Sequence, residues 1–113
     1  MDKPIVWVGQ TRKDLRAMPE DVKDEVGFAL DAAQKGGKVS YAVPMRGNLR
    51  SVVEIRVDDD GDTYRTMYTT EMKGVVYVLD VFKKKSKRGI ATPKEDLDRI
   101  RARLKAAREH FKT

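Results

Sequence analysis

Apolar residues along this 113-residue chain change their period several times, and each change marks a different kind of element. Ile5-Val6-Trp7-Val8 is short, apolar and rich in β-formers, which predicts a first strand. From Arg12 to Met18 the apolar positions Leu15 and Met18 lie three apart, the pattern of a short helix that Gln10 or Thr11 would cap and Pro19 would stop. Pro19 also suits the first turn of a second helix, whose positive end Glu20 and Asp21 would favour. Val22, Val26, Ala29, Leu30 and Ala33 then recur at helical spacing and mark one buried face, which ends by Lys35 and Gly36-Gly37. Between Lys38 and Arg50 the pattern is irregular, with Pro44 and Gly47, and reads as a connecting loop.

Three strands are predicted next. Ser51 to Val57 carries β-branched residues, Asp58-Asp59-Asp60-Gly61-Asp62 has turn chemistry, and Thr63 to Thr70 alternates into a second strand. After the Lys73-Gly74 turn, Val75 to Phe82 is the most hydrophobic run, suited to the centre of a sheet. Thr92-Pro93-Lys94-Glu95 reads as a helix start, with Thr92 as cap, Pro93 at the first position and Glu95 completing a capping box. Leu97, Ile100, Leu104 and Ala107 give that helix its seam. The expected fold is a single α+β domain over residues 1–113 in the order β-α-α-β-β-β-α: a small, mainly antiparallel sheet with an N-terminal helical hairpin and a C-terminal helix.

Charge is divided unevenly along this fold. Residues 1–71 hold 11 Lys+Arg against 13 Asp+Glu, a net −2, whereas residues 72–113 hold 13 against 5, a net +8. The densest run, Lys83-Lys84-Lys85-Ser86-Lys87-Arg88, follows directly on the most hydrophobic strand and contains no acid. Concentrating cations there is costly unless a polyanion neutralises them, and a phosphate backbone is the obvious one. With no Cys and the single histidine His110, neither a disulfide framework nor a thiolate or zinc site is expected. The acidic turn around Gly61 lacks the twelve-position calcium spacing and reads as a solvated hairpin, so no metal or cofactor is expected. Met1-Asp2-Lys3-Pro4 lacks the apolar run of a signal peptide, and no stretch is long enough to span a membrane, which points to a soluble, cytoplasmic protein.

Strand alternation suggests how the cations meet. Glu54 and Arg56 share one face of their strand, opposite Val53, Ile55 and Val57, while Arg65 shares a face with Met67. Either side of a hairpin, Arg56 and Arg65 are then placed to reach one surface beside Lys83 to Lys85, with hydroxyls from Tyr68 or Ser86. Such a group suits chemistry at phosphate: guanidinium gives bidentate, permanent charge, and a crowded lysine has a lowered pKa that fits it for proton transfer. The competing arrangement is simple pairing of both arginines with Glu54 and Asp62 across the hairpin. Trp7 and Tyr41 read as packing residues, and His110 as an ordinary residue at a helix end.

The runs Val53-Glu54-Ile55-Arg56, Tyr64-Arg65-Thr66-Met67-Tyr68, Val78 through Ser86, and Thr92-Pro93 together resemble the HigB branch of the RelE/ParE toxin superfamily, including its phage-derived, host-killing-related proteins. That branch has an E-L-R strand, a Y-R-x-x-Y strand, an F-x-K-K-[ST] strand end and a following T-P. Ile55 replaces the usual leucine, and Lys87 to Ala91 make a longer link than in many relatives. The resemblance implies a type II toxin: a ribosome-dependent mRNA endonuclease that enters the ribosomal A site, blocks translation and is neutralised by a helix-turn-helix, HigA-like antitoxin that also represses the operon, so that operator DNA is met only through the antitoxin. It implies catalytic roles for Arg56, Arg65, Lys84 and Lys85, with Arg65 on the phosphate, Lys84 as a second cation, Arg56 positioning the backbone and Lys85 doing the same or shuttling a proton. RNA contacts would come from Lys83, Ser86, Lys87, Arg88 and Tyr68. Two other readings fit the same sequence: a ParE-like toxin acting on a protein target such as DNA gyrase, and a module that binds RNA or DNA without cutting.

Overall fold

The computed structural model describes residues 2–84 and 92–113. Among them, β1 (Ile5–Trp7), β2 (Ala42–Pro44), β3 (Val52–Asp59), β4 (Asp62–Thr69) and β5 (Val76–Lys84) form one sheet in the order β1-β5-β4-β3-β2. β1 runs parallel to β5, and every other neighbouring pair is antiparallel. Helices α1 (Thr11–Arg16) and α2 (Glu20–Gln34) form the N-terminal hairpin, and α3 (Lys94–Lys112) follows the sheet. The α+β order is as expected, with one strand added. β2 lies in the segment read as a loop, and a 3₁₀ turn over Gly47–Leu49 follows it. Three residues are too few to show an alternating pattern, and Pro44 is tolerated because β2 is an edge strand.

Local chemistry explains the element ends. The α2 seam is the expected one, with Val22, Val26, Ala29, Leu30 and Ala33 all buried. The helix stops in a Schellman arrangement: Gly36 takes φ +86°, Gly37 N–H donates to the Ala32 carbonyl at 2.8 Å and Gly36 N–H to that of Ala33 at 3.1 Å. Pro19 sits at the N-cap of α2 and not in its first turn, and its carbonyl accepts from Lys23 N–H at 3.0 Å. The acidic turn is tighter than expected, since Asp59 pairs with Asp62 and only Asp60-Gly61 are left to turn the chain. Both have positive φ, 49° and 82°, the geometry that matches strand twist in a two-residue hairpin. Asp58 accepts from Thr63 Oγ1 at 2.8 Å, and Asp62 pairs with Lys83 at 3.5 Å.

The sheet has helices on both faces. α2, with Leu15 and Met18 from α1 and its approach, covers Ile55, Val57, Tyr68, Val76, Val78 and Val81. On the other face Ile100, Leu104 and Ala107 of α3 cover Val52, Met67, Tyr77 and Leu79, with Phe82 and Leu97 partly buried at the margin. The faces change parity along β5. Val76 and Val78 look toward α2, yet so does Val81, because the register slips: Met67 pairs with Asp80 and Tyr68 with Val78, leaving Leu79 as an extra residue. This bulge turns Asp80, Phe82 and Lys84 onto the α3 face.

Side chains satisfy the bulged backbone. Arg103 donates to the Leu79 carbonyl at 2.9 Å, and the Asp80 carboxylate accepts the Val81 N–H at 3.1 Å. Asp80, itself buried, also takes Arg99 at 2.7 Å and Arg103 at 3.0 Å, so α3 is tied to the bulge by charge-assisted bonds. Arg99 also lies over the Phe82 ring, 5.5 Å from its centroid. Asp80→Asn should therefore destabilise the fold by about 2–3 kcal/mol, less than a fully buried pair would lose because both guanidiniums are partly exposed. Urea unfolding followed by circular dichroism measures this, and an unchanged midpoint would mean the bulge is held by packing alone.

Candidate functional site

The part of the α3 face toward the β3–β4 turn, beyond the apolar layer, collects the polar residues of three strands. Arg56 and Arg65 are direct register partners, Glu54 lies two residues from Arg56 on the same face, and Phe82 stands opposite Arg65 on the other side. Two arginines facing each other across a ladder cost up to about 1 kcal/mol unless an anion intervenes. Glu54 supplies it, with a carboxylate oxygen 2.9 Å from Arg65 NH1. Lys84, placed on this face by the bulge, is only 8% exposed. Its pKa is pushed below the ordinary lysine value, first by burial and then by the charges of Arg65 and Arg56, with Glu54 opposing. Three cations from separate strands thus share one field.

Their exposures differ in a way that the strand pattern does not show. The Arg56 side chain is 42% exposed, with Asp58 no closer than 4.0 Å, so its fork is presented to solvent. Arg65 is 1% exposed, held by Glu54 and by a 2.8 Å hydrogen bond to Thr92 Oγ1. Thr92 is therefore not the helix cap expected of it. Pro93 occupies the N-cap position of α3, no side chain caps the helix, and the Pro93 carbonyl accepts from Asp96 and Leu97 N–H at 3.0 Å each. The Thr92 hydroxyl is committed to Arg65, which leaves the Glu95 capping box unmade.

Two expected contacts lie elsewhere. Tyr68 is 2% exposed and packs in the core beneath α2, on the opposite face from Arg65, where burial raises its phenol pKa. It is excluded from an RNA surface because β4 alternation turns it inward. Lys83 alternates with Lys84 for the same reason; its half-exposed ammonium lies on the α2 side and pairs with Asp62. Lys85, Ser86, Lys87 and Arg88 lie outside the described residues. His110 faces Tyr77, its Nδ1 2.9 Å from the hydroxyl. Tyr77 is seven residues along β5 from Lys84, roughly 20 Å at strand rise, which removes His110 from this site. Trp7 packs against the α2-side core, and Tyr41 donates its hydroxyl to the Glu25 carbonyl at 2.8 Å. The competing arrangement named Glu54 as an arginine partner, and it does pair with Arg65, whereas Asp62 pairs with Lys83; the strand pattern gives no sign of Thr92 as a member of the site.

A groove of about 870 Å³ opens over this cluster, with Glu54, Arg56, Asp58, Arg65 and Thr92 among its lining residues. The described residues include no group of three or more His, Cys, Asp or Glu able to hold a metal ion, and no helix long and apolar enough to cross a membrane.

This sheet, helical hairpin and covering C-terminal helix define a RelE-like fold. The chain is similar to a mutant of the Escherichia coli toxin RelE in the free state, at 19% identity and a TM-score of 0.64, with 92% of this chain and 99% of that one covered. It is also similar to a chain of the RelBE2 toxin–antitoxin complex from Mycobacterium tuberculosis, at 20% identity and a TM-score of 0.52, covering 74% and 100%. Residues 13–105 match the family described as phage derived protein Gp49-like (DUF891), and the chain belongs to that family. No curated protein matches it.

The lowered Lys84 pKa has a definite sign in stability. A lysine that is harder to protonate when folded costs stability at every pH below its folded value, and the cost disappears as pH rises from there to the unfolded value of 10.5. Lys84→Met is thus expected to be more stable than the parent at pH 7, with the difference shrinking by pH 10. Paired urea titrations at the two pH values check this, and a difference independent of pH would contradict the electrostatic account.

Proposed function

We propose that this protein is the toxin of a type II toxin–antitoxin pair and acts as a ribosome-dependent mRNA endonuclease. The observation that carries the reading is the convergence on one sheet face of Arg56, Arg65 and Lys84 about the Glu54 carboxylate, with an open groove over Glu54, Arg56 and Arg65. Its likeness in fold to the toxin RelE and to a chain of a toxin–antitoxin complex supports it. So does its family.

Cleavage of RNA through its own 2′-hydroxyl needs a base for that proton, charge to stabilise a pentavalent phosphate and an acid for the leaving 5′-oxygen. Arg56 presents an exposed fork for the phosphate. Arg65, buried behind it, acts as a positioning residue: it fixes the Glu54 carboxylate and adds positive field without leaving its pair. This reverses the roles that the family resemblance assigns to the two arginines. Glu54 is the carboxylate placed to take the 2′-hydroxyl proton, and Lys84, with its lowered pKa, is the acid for the leaving oxygen. Lys85 and the other cations of the 85–91 segment would extend the phosphate contacts. Each catalytic charge is supplied by the chain itself, with no step routed through a cofactor.

A cationic groove on a small protein also invites neutralisation. The expected partner is a helix-turn-helix antitoxin in the cytoplasm, through which the toxin would meet operator DNA indirectly. A toxin aimed at a protein such as DNA gyrase needs no carboxylate amid these cations, and a module that only binds RNA needs no proton donor.

Mapped mRNA breaks in a translating extract test the proposal. Arg56→Ala and Lys84→Ala should each reduce cleavage about 100-fold, the scale of losing one preorganised charge at a transition state. Glu54→Gln should do the same while leaving ribosome binding in place. Intact mRNA with impaired DNA supercoiling would favour the gyrase reading, and ribosome or RNA binding with neither effect the non-cutting module.

A further inference from the structure

The groove extends beyond the catalytic cluster into a stretch of different character. One wall is β2 and the residues after it, where Val43, Pro44 and Met45 present apolar surface; the facing wall is the start of α3, with Leu97 and Arg101. Val43 is 56% exposed, one of three large hydrophobic side chains so exposed among the described residues. Arg46 stands exposed at the β2 end of the groove. Arg101, across from it, keeps only a partly exposed contact with Asp98 at 3.2 Å.

An apolar strip between cations on separate elements matches a ligand that alternates flat apolar faces with negative charges. Single-stranded RNA has that form, because its bases are free to lie against side chains while its phosphates follow the cations. A duplex hides its bases, and a peptide of acidic residues alone would use the arginines without covering Val43. The volume of about 870 Å³ falls within the roughly 300–1,000 Å³ of sites that enclose small ligands.

We propose that this part of the groove seats the unpaired nucleotides beside the scissile bond, with bases against Val43, Met45 and Leu97 and flanking phosphates held by Arg46 and Arg101. The inference rests on the nuclease reading for the location of the bond and adds residues that choose which bases are cut.

Two measurements on the full chain test it: anisotropy of a labelled RNA oligonucleotide, single-stranded or as a duplex, and mapping of mRNA breaks in a translating extract. Single strands should bind at least about tenfold more tightly than the duplex. Val43→Ser and Met45→Ser should weaken that binding several-fold at an unchanged salt slope, whereas Arg46→Ala and Arg101→Ala should each lower the slope by about one. The three changes at exposed positions, Val43, Arg46 and Arg101, should leave the circular dichroism spectrum intact, and all four should alter the base preference around the breaks. Equal affinity for duplex and single strand, or indifference to Val43→Ser and Met45→Ser, would overturn the proposal. Groove-dependent binding of single strands with mRNA left whole would keep the single-strand seat but overturn its role beside a scissile bond, together with the nuclease reading. Cutting with an unchanged base preference in all four variants would reject the groove and leave the nuclease reading standing.

Discussion

The extra residue in β5 is the constraint on which the site depends. Strand side chains alternate, so a regular β5 would carry Phe82 and Lys84 on the same face as Val76 and Val78, beneath the helical hairpin. The slip at Leu79 and Asp80 reverses that parity, which leaves Val81 in the α2-side core and brings Lys84 to Arg65. A bulge leaves backbone groups without ladder partners, and here Arg103 and the Asp80 carboxylate satisfy them. The geometry that brings Lys84 to the arginines is therefore enforced from α3, by residues that do not line the groove over Glu54 and Arg56.

That arrangement sets stability against function. Arg56 opposite Arg65, with Lys84 nearby, gathers like charges in a partly buried place, and Glu54, with Asp58 4.0 Å from Arg56, leaves an excess of positive charge. A fold selected for stability alone would place a neutral residue at one of these positions. The excess of positive charge is useful where a phosphodiester arrives with its own negative charge, and more so as charge builds on the phosphate in the transition state. Preorganisation then costs stability in the free protein, which the two hydrophobic layers supply.

Much of this was legible in the sequence, for reasons that differ between elements. The α2 and α3 seams follow from a 3.6-residue period that a well-packed helix cannot disguise, and both bury the positions it indicates. The face shared by Glu54 and Arg56 follows equally from strand alternation. β2 was missed because an edge strand of three residues, one a proline, has no period to read. Tyr68 and Lys83 were misplaced because a sequence motif names residue types while alternation decides which way each points. The bulge has no local signature in Val78-Leu79-Asp80-Val81; it becomes necessary only once the arginines of α3 are seen to need Asp80 on their face.

Thr92 shows the same dependence from the other end of α3. A threonine before a proline and an acidic first turn is ordinary capping chemistry, and in isolation that helix would use it. In the folded protein Arg65 claims the hydroxyl, because a guanidinium that is 1% exposed must satisfy its donors from within and an uncapped helix end at the surface can turn to water. The start of α3 is thus bonded to β4 through Thr92, and its middle to β5 through Arg99 and Arg103. Arg65 in turn orients Glu54, so the carboxylate at the centre of the groove is positioned through a chain of contacts that begins at the helix. Movement of α3 along its axis would change Thr92, Arg65 and Asp80 together. The helix is accordingly part of the site's framework as well as a cover for the hydrophobic layer.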